Sequence, residues 1–161
     1  MSRGQFVGAM VMAAAMTATP AFADATAFIG ATTTPANRVL KGVAVGIGLL
    51  VVGFEFEYAS TSPDLPADAP ALKTGSGNLL LQTPAEIFGF QPYLTMGAGV
   101  FRETLGTTYE HTGVAPNVGA GVKVALVGPL RLRVDYRVLK LGSGALYSPA
   151  HRVYAGLNLK F

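Results

Sequence analysis

The sequence predicts an all-β fold: an eight-stranded antiparallel up-and-down transmembrane β-barrel, preceded by a cleavable helical signal peptide. Three observations carry this reading. From residue 26 onward, apolar and polar residues alternate with a period of two. The connections between the alternating segments are by turns short and long. Only 13% of the 161 residues are charged while 50% are hydrophobic, where an average soluble domain is about a quarter charged.

The composition narrows the alternatives. No stretch after residue 25 approaches the roughly 20 unbroken apolar residues of a spanning helix, because Gly, Arg, Glu or Pro interrupts every run. A membrane reading must therefore go through strands. The net charge of +3 is small and its basic residues are scattered, so nucleic acid is excluded as a partner. With no cysteine in the chain, neither a disulfide framework nor a thiolate metal site can form.

Arg3, an apolar run over 6–15, and Pro20-Ala21-Phe22-Ala23 make the charged start, greasy middle and A-x-A end of a secretory signal peptide. The expected division is a signal peptide over 1–23 and a barrel over 24–161, with Asp24 as the first mature residue. The expected location is the outer membrane of a Gram-negative-type bacterium, after secretion through the inner membrane.

Eight strands are expected at residues 26–32, 39–49, 51–59, 77–83, 89–101, 117–127, 130–141 and 151–161. The clearest places Leu130, Leu132, Val134, Tyr136 and Val138 on one face and Arg131, Arg133, Asp135 and Arg137 on the other. Phe54, Phe56 and Tyr58 alternate with Glu55 and Glu57 in the same way. In 42–48 and 118–124 the second face is mostly glycine, which suits a narrow interior better than a soluble strand. Tight connections fall near 50, 84–88 and 128–129. Longer ones, rich in Thr, Pro, Asp, Gly and Ser, fall at 33–38, 60–76, 102–116 and 142–150. Short turns at one end, long loops at the other and an even strand number are what a bacterial outer-membrane barrel requires. Closure removes the unpaired edges that lipid would not tolerate.

A soluble lipocalin-like barrel would have the opposite polarity, apolar inside and charged outside. The chain has too few charges to solubilise a second surface, so Glu55, Glu57, Arg131, Arg133, Asp135 and Arg137 are assigned to the lumen as a charge network. The Phe, Leu, Val and Tyr bands are assigned to lipid. A charge facing mid-bilayer would cost roughly 2–4 kcal/mol, so Lys41, on the lipid phase, must lie near the rim.

At the C-terminus, Tyr154, Gly156, Leu159 and Phe161 match the terminal β-signal of outer-membrane proteins, an aromatic end with a hydrophobic residue two before and a glycine five before. Residues 91–100 and 117–123 resemble the fifth and sixth strands of the OmpA/OmpX-type barrel superfamily, the outer-membrane protein β-barrel domain. The resemblance covers about 26–161. It implies that the four C-terminal residues are read by the barrel assembly machinery, with periplasmic chaperones and outer-membrane lipid as further partners. The chain stops at the last barrel residue, from which no peptidoglycan-binding domain is expected to follow.

No catalytic, cofactor or metal site is expected. His111, His151, Glu110 and Ser148 were weighed as a Ser, His and acid constellation at loop positions, but their spacing does not bring base and nucleophile together. Two histidines without ligand spacing make a poor metal site. Three functions remain open: a structural or surface-interaction barrel, whose long loops meet an unidentified surface ligand; a conduit or binder for a small solute; and a lipid-directed hydrolase. An eight-stranded barrel has room only for its own side chains, which favours the first.

Overall fold

The computed structural model describes residues 21–161. They form eight strands: β1 Ala21–Thr32, β2 Arg38–Leu49, β3 Val52–Thr61, β4 Ala71–Gln82, β5 Phe90–Leu105, β6 Tyr109–Val127, β7 Leu130–Leu139 and β8 Ala150–Lys160. Each pairs antiparallel with its neighbours in chain order, and β8 returns to β1 to close the barrel. The closing ladder runs from Asp24 opposite Lys160 to Thr32 opposite Arg152. Residues 1–20 of the expected signal peptide lie outside the described residues. Ala21, Phe22 and Ala23 pair with Leu49, Gly48 and Ile47 at the start of β1.

The shear of the barrel follows from its register. From Val43, the paired row runs one way through Tyr58, Gly75 and Val100 to Val114. The other way it runs through Ala27, Leu157 and Leu132 to Val124. The two ends fall on one strand, ten residues apart, which for eight strands tilts them by about 40° to the axis.

Alternation is kept around the whole wall. Outward positions carry large apolar side chains, with Phe54 and Phe56 each 58% exposed. The inward phase is largely polar or small at mid-barrel, where Thr26, Ser76, Asn78, Thr95, Asn117 and Asn158 are all buried.

Two of the long connections are shorter than the composition suggests. Residues 102–105 and 109–116, expected in a loop, continue the β5–β6 hairpin, with Ala98 opposite Pro116 and Leu105 opposite Tyr109. Gly106, at φ +60°, provides the left-handed residue of the closing turn. β4 begins at Ala71, six residues before the expected start. Its Thr74 and Ser76 face a polar interior, so they alternate with Lys73 and Gly75 without the apolar beat that marks a strand. β7 ends at Leu139 rather than 141, and the chain then turns into the loop 140–149.

Phe28 and Tyr154 stack inside the barrel with ring centroids 4.1 Å apart. Glycine makes room for them. A Cβ on Gly42 would lie 2.8 Å from Phe28 Cε2, and one on Gly156 would lie 2.7 Å from Phe28 Cβ. Outward-facing Gly77 has nothing within 4 Å of the same position. Gly42→Val is expected to lower stability by about 1–3 kcal/mol through overpacking, while Gly77→Val leaves it nearly unchanged. Urea unfolding of the refolded barrel, read from the gel band that shifts on boiling, checks both; equal losses would contradict this packing.

Candidate functional site

The inward phases of β3, β5, β7 and β8 meet at mid-barrel. Arg133, on β7, projects across the lumen to β3, where both η nitrogens bond the Glu55 carboxylate, Nη2 at 3.1 Å from Oε1. Its Nε donates to the Tyr93 hydroxyl at 2.7 Å, and Nη2 also reaches Asp135 Oδ2 at 3.1 Å. Arg137 sits one alternation further along β7. It donates to Glu57 Oε2 at 2.8 Å and to Asp135 Oδ2 at 3.2 Å, and lies 3.6 Å from Glu55 Oε1. Two tyrosines finish the layer: Tyr93 donates to Asp135 at 2.5 Å and Tyr154 to Glu57 at 2.9 Å.

All of these side chains are out of solvent, and Arg133 and Arg137 are 0% exposed. Their arrangement explains how charges survive there. Three carboxylates face two guanidiniums, and the tyrosine hydroxyls add a donor to Asp135 Oδ2 and to Glu57 Oε2. Planar guanidinium forks hold carboxylates from two directions. Buried charge is tolerated only with such partners.

Above and below, the lumen is filled by smaller links. Towards the short-turn end, Lys123 pairs with Asp24 at 2.6 Å. Arg131 donates to Gln91 Oε1 at 2.9 Å and lies 3.8 Å from Glu86. Around them is a cavity of about 280 Å³ lined by Asp24, Gln82, Gln91, Lys123, Arg131 and Lys160. Towards the long-loop end, Arg152 donates to Thr74 Oγ1 at 2.9 Å. Beyond it, Leu72, Phe101, Ala115, Leu139, Leu141 and Ala150 form an apolar cluster. The loop 140–149 closes over this cluster: Leu146 N donates to Glu103 at 3.1 Å and the Tyr109 hydroxyl to Gly144 O at 2.5 Å.

Of the sequence-derived lumen residues, Glu55, Glu57, Arg133, Asp135 and Arg137 come together in one layer, and Arg131 stands apart from it with Gln91. Tyr93, Arg152 and the Lys123–Asp24 pair are not among the residues the sequence singles out, and Tyr154, expected as part of the C-terminal signal, also belongs to the lumen layer. Their signal was present in the phase of their strands, since Gln91, Tyr93 and Thr95 share the inward face of β5. Asp24 lies inside β1, opposite Lys160. Of the C-terminal residues, Tyr154 and Gly156 point inward while Leu159 and Phe161 point outward.

The residues weighed for hydrolysis are not brought together. Both histidines lie on strands: His111 because the β5–β6 hairpin extends further than expected, and His151 at the start of β8. His111 packs on Phe101 inside the barrel, centroids 5.6 Å apart. His151 sits on the outer face, its Nδ1 2.7 Å from the Tyr136 hydroxyl. Glu110 pairs with Arg102 at 2.6 Å, and Ser148 donates to Leu141 O at 3.0 Å.

A polar, ion-paired interior inside a closed wall with an apolar exterior is the reverse of a soluble barrel. The same closed barrel fold is found in solved structures. The N-terminal β-barrel domain of Pseudomonas aeruginosa OprF superposes with a TM-score of 0.67 at 16% identity, covering 87% of this chain and 97% of that one. This is the outer-membrane β-barrel fold. Neisserial surface protein A shares the outer-membrane β-barrel fold at a TM-score of 0.66 and 18% identity, covering 88% of this chain and 96% of that one. The outer membrane enzyme PagL shares it at 0.53 and 12%, covering 84% and 98%. No protein-family model and no curated protein sequence matches the chain.

Removing one partner from the central layer leaves buried charge uncompensated. Arg133→Met is expected to cost about 3–5 kcal/mol, and Glu55→Met/Arg133→Met less than the sum of the two single changes. Urea midpoints of the four refolded proteins measure the coupling; additive losses would mean that the pair is not the brace described here.

Proposed function

We propose that this chain is a small protein of the outer membrane of a Gram-negative-type bacterium, with a structural and surface-display role and no steady pore. On this reading residues 1–23 direct export and are removed, and the long-loop end faces the outside. Tyr154, Gly156, Leu159 and Phe161 are read by the barrel assembly machinery after delivery by periplasmic chaperones.

One observation carries the reading: five charged side chains, Glu55, Glu57, Arg133, Asp135 and Arg137, cross the lumen in mutual contact. A conduit would need that layer to part, separating ion pairs in a space of low dielectric. The cavity at the short-turn end stops short of it, and the apolar cluster with its covering loop closes the other end. The likeness to Neisserial surface protein A supports a surface role. PagL carries an enzyme on this fold, but the Ser, His and Glu residues weighed for such chemistry have separate partners. The loops 62–70 and 140–149 and the 106–108 hairpin tip are what the barrel presents to a surface ligand.

In planar bilayers the purified barrel is expected to give no stable large conductance. Glu55→Gln/Glu57→Gln, which leaves the two arginines with Asp135 as their one carboxylate partner, is expected to add brief openings. Steady large currents from the unaltered protein would overturn the closed-lumen reading.

A further inference from the structure

The cations of the described residues divide by the direction they face. Six point into the lumen: Arg38, Lys123, Arg131, Arg133, Arg137 and Arg152. Lys160 sits at the short-turn rim, on the lining of the cavity there. The remaining four, Lys41, Lys73, Arg102 and Lys140, are exposed on the outward phase. All four stand at the long-loop end.

Register gives their heights. With about 3.3 Å per residue and a tilt near 40°, each residue rises about 2.5 Å along the axis and each step to the next strand about 3 Å. The row through Val43 climbs towards the long loops from β2 to β6. Taken from Val43, Lys41 is then about 5 Å up, Lys73 and Lys140 are each about 11 Å up, and Arg102 is about 14 Å up. Lys73 and Lys140 stand three strands apart at one height. The lowest outward apolar residues, Leu49, Phe90 and Phe161, lie about 15 Å below Val43.

Lys73 and Lys140 thus stand about 25 Å above the lower edge of the apolar wall, the hydrocarbon height such barrels span, and below Lys41 the outward band of about 20 Å is uncharged. The lysines therefore mark the upper boundary of the hydrocarbon, with Lys41 just beneath it and long enough to reach up. Of the acids at this rim, Glu110 is taken by Arg102, and Asp64 and Asp68 belong to the loop 62–70 above. Lys41, Lys73 and Lys140 have no carboxylate within ion-pair distance among the described residues. Among the described residues, the lower rim has no such row on its outer wall.

We propose that Lys41, Lys73 and Lys140 bind the phosphate groups of a phosphorylated glycolipid in the outer leaflet. This rests on the outer-membrane reading above. Membrane anions attract basic side chains at the headgroup level. A row of lysines confined to one rim selects the leaflet that supplies those anions, and so fixes the depth of the barrel.

The test is the thermal unfolding midpoint of the full barrel, refolded into phosphatidylcholine vesicles alone or with added diphosphorylated lipid A. The midpoint is expected to rise with the phosphorylated lipid. It should not rise with dephosphorylated lipid A of the same acyl chains, or with inorganic phosphate. Lys41→Gln/Lys73→Gln/Lys140→Gln is expected to lose most of the rise, and Lys41→Arg/Lys73→Arg/Lys140→Arg to keep it. An equal rise in the glutamine variant, or with either control additive, overturns the inference and leaves the barrel reading intact. A chain that inserts into none of the vesicles overturns both.

Discussion

Five charged groups held in contact inside the barrel are the constraint on which the rest of the structure depends. Charge that is taken out of water must be answered at short range, and here β3 supplies two carboxylates while β7 supplies two guanidiniums and the third carboxylate. These strands are not neighbours in the wall. The side chains meet only because the sheet curls until its opposite sides face each other across the lumen. Small residues elsewhere on the inward face are the other half of this condition: Gly42 and Gly156 clear space for the Phe28–Tyr154 stack, and Tyr154 in turn caps Glu57. The bulk of Phe28 thus dictates glycine directly beside it, on β2 and on β8.

The same alternation sorts charge on the outside. Cations on the inward phase find partners within the protein, while three lysines on the outward phase find none and stand at one end of the wall. Below Lys41 lies an outer band without charge, as a hydrocarbon surrounding demands. The lumen layer sets the barrel's shape, and the outer rim sets its vertical position. One row of side chains is therefore internal to the protein, and the other belongs to its contact with the lipid.

Much of the fold was legible because it rests on period two and on turn chemistry. β7 declares itself through Arg131, Arg133, Asp135 and Arg137 alternating with Leu132, Val134 and Tyr136, and the Gly128-Pro129 turn is equally plain. What was missed follows from the same inversion of polarity. In β4, Thr74 and Ser76 look inward at polar groups, so nothing apolar marks the face, and the segment reads as loop. In the upper β5–β6 hairpin, Gly, Thr and His obscure the alternation, although Phe101, Glu103, His111 and Ala115 keep to the inward side. The partners of the lumen charges were harder still. That Arg133 meets Glu55 depends on shear, which no single strand records, and Tyr93 and Tyr154 are indistinguishable in sequence from the wall aromatics until their phase is known.

The most direct measurement takes advantage of the absence of native cysteine. Single cysteines placed in turn at Phe54, Phe56, Val134 and Tyr136, and at Ser76, Thr95 and Asn117, are labelled with a nitroxide in the vesicle-inserted barrel, and their collision rates with lipid-dissolved oxygen are compared. High rates at the first four and low rates at the other three are predicted. Reversed rates, or rates that follow a helical period along β7, would contradict the inverted barrel and everything built upon it.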